Sequence, residues 1–438
     1  MNPARQAAFK VLLRVERESA YAVELLYSSQ LDRLSAVDRN LAQEIVMGVL
    51  RWQSLLDFSF QDHLSIPLKK LDLEVLIALR MGADQLAFLD RMPAHAIVNE
   101  SVELVKKSGK RSAAGLVNAV MRKLQQNRQG LLEKNGDPAH DYAHPAWLVE
   151  RWRQRFGPDK TDKICHYDQQ IPETVIRISD SNDEENLRRE GIQLRPGALV
   201  KTARIVAAGD VTRSKLLRSG RIAIQDEGSQ LVAALVGSGK RILDCCAAPG
   251  LKTGALAAAM PEAQVYAAEL HPHRTRLLRS LAPQRNIHVL TADAQQLPFA
   301  ADFDRVLADV PCSGTGTLAR NPEIKWRLRP EDLADLQARQ IAILSSALQH
   351  VAPGGRLVYA TCSLEAEENE QVVAAALEEN PQFTIVPIRE VLQELKDSEM
   401  LVWEDIESVV QGDFLRTLPG VHPCDGFFAS VLTCALRS

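Results

Sequence analysis

The 438-residue chain contains no uncharged apolar run of about 18 residues, so no membrane span is expected. It holds only seven cysteines, with neither metal-ligand spacing nor the density of a disulfide scaffold. That argues against a metal site and a disulfide-stapled secreted domain, and fits a reducing cytoplasm. Nor is the N-terminal stretch expected to be a signal peptide. "MNPARQAAFKVLLRVERESA" interrupts its apolar positions with charge every few residues, as an amphipathic helix does. No internal repeat is visible. A strong excess of positive charge is missing too, and the net charge of −4 argues against a uniformly basic nucleic-acid binder. What remains is 46% hydrophobic and 25% charged, long enough for two or three domains with real cores.

Charge is unevenly spread. Residues 1–160 carry 23 Lys and Arg against 19 Asp and Glu, a balance of +4; the remainder carries 29 against 37, a balance of −8. Between Glu103 and Glu133 stand Lys106, Lys107, Lys110, Arg111, Arg122, Lys123 and Arg128, with no acid among them. A solvated helix face accounts for such a run. A face that contacts phosphates accounts for it equally.

Three regions follow one another. Residues 1–140 read as an all-α bundle. Apolar residues recur at three- and four-residue intervals in "RQAAFKVLLRVE", "DRNLAQEIVMGVLRWQSLLDFSFQDHL", "LDLEVLIALRMGADQLAFL", "AHAIVNESVELVKK" and "AAGLVNAVMRKLQQ". Asp38 is the expected N-cap of the second helix, and Pro93 precedes the fourth. The polar, turn-rich stretch at 127–145 marks a boundary. Residues 141–220 read as a small α+β connector, built from a short helix "PAWLVERWRQRFG", "ETVIRIS", the helical "NDEENLRREG" and "ALVKTARIVAAG". Its Trp147 and Trp152 are expected in a core rather than as base-stacking platforms. From 221 to 438 short β-rich runs alternate with helical ones, from "KRILDCCA" to "GFFASVLTCAL". That alternation predicts a parallel, doubly wound, Rossmann-like α/β domain with its ligand at the carboxyl ends of the strands.

Those strand ends carry the chemistry. "LDCCAAPGLKT" runs from the first strand through a small-residue turn into a helix. Ala247, Ala248, Pro249 and Gly250 let a ligand approach the backbone, and the helix start offers free N–H donors. The turn is neither GxGxxG nor a GxxxxGK[ST] phosphate loop. Glu269 ends the second strand, Asp293 the third, and Asp309 and Cys312 the fourth. One acid at a strand end is commonly an N-cap. Three on successive strands suit a nucleoside that offers hydroxyl and amino groups. S-adenosylmethionine fits, and its sulfonium charge favours acidic walls.

"LDCCAAPGLKT", "ADVPCSGTG", "NPEIKW", "YATCSLEAEENE" and "CDGFFAS" together resemble the motifs of the RNA cytosine-C5 methyltransferases, in that family's order and spacing. The likeness covers most of the chain, and the helical region resembles the NusB-type RNA-binding domain. The combination is similar to the bacterial 16S ribosomal RNA branch of the family, which implies 16S ribosomal RNA as the partner and cytosine 967 as the target. The resemblance implies S-adenosylmethionine as cofactor, held by Cys246, Ala247, Ala248, Pro249, Gly250, Leu251 and Lys252. It adds Glu269 for the ribose, Asp293 for the adenine side and Asp309 near the reacting centre. It places the nucleophile on Cys362, with Cys312 helping product release. Leu251 departs from the family's usual glycine and would crowd the loop if its φ were positive. Cys245 is a lesser departure and reads as a small core residue. A monomer is expected.

The reaction wants sulfur. C5 of cytosine is a poor nucleophile, and a thiolate adding to C6 makes it enamine-like until loss of the C5 proton and of the thiolate restores the ring. Asp309 is the candidate to protonate or polarise N3, if its carboxyl group is protonated or shares a proton with the base. Lys252 is a candidate to bond the base or to lower a thiol pKa; a surface i→i+4 pair is its plainer reading. The base must leave its stack to be reached. Lys325 and Trp326 could contact RNA beside it, or the tryptophan could be packed. Two other functions remain: a tRNA substrate, or an RNA-binding assembly factor with a vestigial methyltransferase domain.

Overall fold

The periodic segments of the first third fold as helices: α1 (Pro3–Glu18), α2 (Ala22–Leu26), α3 (Ala36–Gln61), α4 (Leu73–Phe88), α5 (Ala94–Lys107), α6 (Ala114–Gln126), α7 (Pro138–Asp141), α8 (Ala146–Phe156) and α9 (Pro158–Asp168). The computed structural model describes residues 2–435 except 29, 30, 32 and 91; the expected outer limits at residue 1 and at 436–438 lie outside that set. Asn2 accepts from the Arg5 N–H at the start of α1, with Pro3 as the first helical residue. Asp38 does not cap α3. Ser35 does, accepting from the Asp38 N–H, while the Ser35 hydroxyl donates to the Asp38 carboxylate at 2.7 Å. Asp38 therefore lies in the first turn, where the helix dipole favours a negative charge. Leu12, Ile45, Leu56, Leu79, Val105 and Val120 are among the buried residues of one continuous core. Trp152 on α8 is fully buried and Trp147 partly so.

The second half begins with β1 (Val175–Ile178), α10 (Ser181–Arg189), β2 (Gln193–Pro196), β3 (Ala203–Ala208), α11 (Lys215–Arg218) and β4 (Ile222–Ile224). These strands form an antiparallel sheet in the order β2-β3-β1-β4. Then come α12 (Glu227–Leu235), β5 (Arg241–Asp244), α13 (Leu251–Ala259), β6 (Gln264–Glu269), α14 (Pro272–Leu281), β7 (Ile287–Thr291), β8 (Phe303–Asp309), α15 (Ile324–Arg327), α16 (Asp332–Leu348), β9 (Val351–Thr361), α17 (Glu370–Glu379), β10 (Phe383–Val386), α18 (Ile388–Asp397), β11 (Val410–Gln411), β12 (Phe414–Arg416) and β13 (Phe428–Cys434).

The large sheet runs β11-β12-β13-β9-β8-β5-β6-β7, with β10 on β13. Strands β5 to β9 are parallel. The last strand departs from the expected parallel order, because β13 is antiparallel to both β9 and β10. Successive residues of the parallel strands point to opposite faces. Ile242, Leu307 and Val358 join a core with α12, α13 and α18, while Leu243, Val306 and Leu357 join one with α16 and α17. Burial on both faces is what a doubly wound parallel sheet requires.

The chain divides into two compact units, but not at a single point. Residues 318–327, although they follow β8, belong with the residues up to 171. In that helical unit the Lys325 ammonium group donates to Arg51 O at 3.0 Å, and the Trp326 indole to Leu50 O at 2.5 Å. Arg327 donates to Val15 O and Ala20 O, each at 2.7 Å, at the end of α1, where a helix leaves carbonyls unpaired. Glu323 accepts from the Ala22 N–H at 2.8 Å, and Arg51 donates to Ala319 O at 3.1 Å. Lys325 is 1% exposed, so it does not offer itself to RNA as the sequence suggested. Burial pulls its ammonium down to about 7.

Candidate active site

Asp244 ends β5, and its carboxylate accepts from the Thr253 hydroxyl of α13 at 2.7 Å. That bond ties the strand to the helix across the intervening loop. Burial pushes Asp244 up to about 7. The positive φ of the loop falls on Gly250, at 108°, where a Cβ would lie 3.2 Å from the Leu278 side chain. Only glycine suits that position. Leu251 is the first residue of α13 with an ordinary helical backbone, so the leucine does not strain the loop. Cys245 is buried, as expected of a small core residue. The Cys246 thiol is pushed well up by burial and by the charges of Cys245, Asp244, Asp309 and Glu269, so it keeps its proton.

The three strand-end acids stand in three different surroundings. Glu269 is buried at the end of β6, where one carboxylate oxygen accepts from the His271 N–H at 2.8 Å. Asp293 is exposed and caps the short turn 294–296 through the Gln295 N–H at 2.9 Å. The plain capping role of a strand-end acid is therefore present there. Asp309 ends β8 and accepts from the Lys252 ammonium group at 2.8 Å. This is no surface i→i+4 pair: Lys252 starts α13, its side chain is 12% exposed, and the ammonium lies 5.3 Å from the Phe427 ring centroid. Burial pulls Lys252 down, but Asp309, by charge and hydrogen bond, lifts it above its ordinary value. Lys252 thus stays an ammonium, with Asp309 as the acceptor of its hydrogen bond.

Strands β8 and β9 are parallel neighbours, and each runs into a cysteine just past its end. Cys312 Sγ and Cys362 Sγ are 3.3 Å apart. The Gly316 N–H donates to Cys362 O at 2.8 Å, which joins the two loops. A Cβ on Gly316 would come within 2.1 Å of Gly426 O, so the loops close this tightly only with glycine there. Cys312 is pushed well above the ordinary thiol value by its hydrogen bond to Cys362, by burial, and by the charges of Cys362 and Glu368. Cys362 is also among the charges that act on Lys252.

The serines that follow the two cysteines, Ser313 and Ser363, both donate to Glu368. Neither the serines nor Glu368 was singled out from the sequence. The repeated Cys-Ser pair was a signal, but nothing in "SLEAEENE" says which glutamate faces inward. The basic run of the helical unit also meets acids from outside the run: Lys106 pairs with Glu103, Lys110 with Asp72 and Arg128 with Asp90. Among the described residues no cluster of His, Cys, Asp and Glu could hold a metal ion, and no helix is long and apolar enough to cross a membrane.

The donor set suits S-adenosylmethionine. A buried carboxylate at the end of β6, small residues before α13 and an exposed carboxylate after β7 offer acceptors for hydroxyl and amino groups around a close-approach loop. Three family models match the chain: "16S rRNA methyltransferase RsmB/F" over residues 234–433, "NusB family" over 2–126, and an "RsmF/B-like, ferredoxin-like domain" over 144–212. The Bacillus subtilis protein named "Probable ribosomal RNA small subunit methyltransferase B" is 30% identical, spanning 99% of this chain and 98% of the relative. The Vibrio cholerae "Ribosomal RNA small subunit methyltransferase B" is 32% identical over 90% of this chain and 89% of its own. A solved "Methyltransferase Homolog Protein" of Pyrococcus horikoshii has a TM-score of 0.56 at 25% identity, covering 68% of this chain and 98% of that one. With likeness along nearly its whole length, the chain belongs to the RsmB family of ribosomal RNA small subunit methyltransferases, whose methyl donor is S-adenosylmethionine.

Proposed function

We propose that this protein methylates carbon 5 of a cytosine in 16S ribosomal RNA, at position 967, through a covalent bond between Cys362 and C6 of the base. One observation carries the reading: two thiols 3.3 Å apart at the ends of neighbouring strands, with an ammonium–carboxylate pair in the same field. The NusB-like helical domain, residues 1–140, binds the RNA, the connector of 141–220 joins it to the catalytic domain of 221–438, and the enzyme works as a cytoplasmic monomer.

The two sulfurs differ in surroundings, and the difference supports their roles. Cys312 is held well above the ordinary thiol value, and its sulfur shares a hydrogen bond with Cys362 Sγ. Attack is left to Cys362, whose developing charge has the Lys252 ammonium as neighbour. Addition to C6 sends electron density toward N3 and the exocyclic oxygen. Lys252, held in place by Asp309, donates a hydrogen bond or a proton there, and any proton given returns to it when the thiolate leaves. Bound S-adenosylmethionine supplies the electrophilic methyl group that C5 takes. Once Cys362 is bonded to carbon, its charge and its hydrogen bond to Cys312 are gone. Cys312 loses its proton to solvent, takes the C5 proton, and the Cys362 thiolate departs. Glu269 holds the ribose hydroxyls, Asp293 the adenine side, and Cys246 to Lys252 line the approach.

Incubation with labelled S-adenosylmethionine and unmodified small-subunit RNA, followed by mapping of the labelled base, tests the substrate. Label appearing on tRNA alone would overturn it. For the thiols, Cys362→Ala abolishes methylation and gives no RNA adduct, whereas Cys312→Ala attacks and stalls, leaving an adduct that survives denaturing electrophoresis. Adduct accumulation with Cys362→Ala would reverse the assignment.

A further inference from the structure

Glu368 is 0% exposed, at the end of the short turn that joins β9 to α17. Four hydrogen-bond donors converge on its carboxylate. One oxygen accepts from the Ser313 N–H at 2.7 Å and from the Gln340 amide of α16 at 2.9 Å. The other accepts from the Ser363 hydroxyl at 2.5 Å and from the Ser313 hydroxyl. A carboxylate is an acceptor-only group with room for four donors. Ser313 and Ser363 are the residues bonded directly to Cys312 and Cys362. Their hydroxyl oxygens lie 3.1 Å apart, one peptide unit from thiols that lie 3.3 Å apart. Gln340 also donates to Pro311 O at 2.9 Å, so the residue before Cys312 is fixed from the same point. The Glu368 backbone is held in turn, since its carbonyl accepts from the Tyr359 hydroxyl of β9 at 2.6 Å.

We propose that Glu368 is a positioning residue shared by both thiols, a buried staple that holds the Cys312 and Cys362 loops in register so that one base meets both sulfurs. This rests on the proposed roles of the two cysteines and deepens them. Attack at C6 and proton removal at C5 happen at adjacent ring atoms. Both sulfurs must therefore stay in reach of one base through the whole cycle, although they come from different strands. A misplacement of about 1 Å at a reacting centre costs on the order of 100-fold in rate. The staple acts on the peptides beside the sulfurs and leaves the sulfurs free to react. Glutamine can replace it in shape. Its oxygen keeps the Ser313 N–H and Gln340 bonds, and its amide donates to the serine oxygens, whose hydroxyls rotate to accept. Alanine leaves four donors around a buried void.

The test is single-turnover reaction of the full-length protein with unmodified small-subunit RNA and labelled S-adenosylmethionine. Adduct formation and adduct release are timed separately on denaturing gels. Glu368→Ala is expected to slow adduct formation by about 100-fold, with Glu368→Gln close to the wild-type rate. The serines should split the two steps: Ser363→Ala slows formation, and Ser313→Ala slows release so that adduct builds up. Wild-type formation and release by Glu368→Ala would overturn the proposal. So would serine variants that slow both steps in the same proportion, the mark of a merely structural role; this arm decides the matter if Glu368→Ala fails to fold. An adduct formed by Cys362→Ala would instead overturn the assignment of the nucleophile, and the two serine variants would then exchange their effects.

Discussion

Lys252 and Lys325 are both buried, both stand in motifs that the sequence singled out, and they meet opposite fates. Lys252 has Asp309 at 2.8 Å, and that contact outweighs its loss of water. Lys325 has the Arg51 carbonyl at 3.0 Å; Asp168 and Cys165 raise it too little to offset burial, and Arg51 adds to the loss. One remains an ammonium in the catalytic unit, and the other gives up its proton at about 7 in the helical unit. Burial alone does not decide a lysine's charge; a carboxylate in contact does.

Three experiments can break or sharpen the contrast. The largest effect belongs to Lys252→Met, which is expected to lower adduct formation by roughly 100-fold or more, the scale of a lost proton donor. Adduct yield at fixed time measures it. A wild-type yield would leave Lys252 as inert as Lys325.

Lys325→Met should leave the chemistry alone and change how stability depends on pH. The folded value near 7 lies below the ordinary lysine value of 10.5. Between them the unfolded chain binds a proton that the folded chain does not, so stability rises with pH across that window. The slope from this one group is at most about 1.4 kcal/mol per pH unit. Below about 7 both states are protonated and the cost of burying the charge is fully present. Denaturant unfolding of the full chain between these limits should show a flatter rise in the variant. An identical slope would mean that the amine does not titrate there.

The smallest effect concerns cations that stay in water. Reversing Lys106, Lys107, Lys110 and Arg111 to glutamate should weaken RNA binding and flatten its salt dependence, through fewer released counterions. Lys106 and Lys110 are already paired with exposed acids, so the loss falls short of four full phosphate contacts. Binding measured across a salt series decides it. Unchanged affinity and slope would make the run a solvated face.

Period and strand-end chemistry made much of this molecule readable. The five long helical segments and the β/α alternation follow from local pattern, whereas the neighbouring strands of Cys312 and Cys362 follow from the methyltransferase-type sheet that the resemblance implies. What escaped was set by distant partners. Lys325 is buried by a carbonyl 274 positions away, and Asp309 finds its cation 57 positions away. Glu368 stands in an acid-rich run where no period distinguishes the inward residue. Ser35 took the cap from Asp38 because the serine lies one residue before the first helical turn.

The placement of residues 318–327 sets a rule for cutting this protein apart. A helical fragment ended at residue 171 lacks the turn that covers Leu50 O, Arg51 O and the end of α1. A catalytic fragment begun after it carries Lys325, Trp326 and Arg327 with nothing left to receive them. Expressed separately, each half should be prone to aggregate. Mixing, swapping or losing the helical half as a gene cassette would require rewriting ten residues in the middle of the other half.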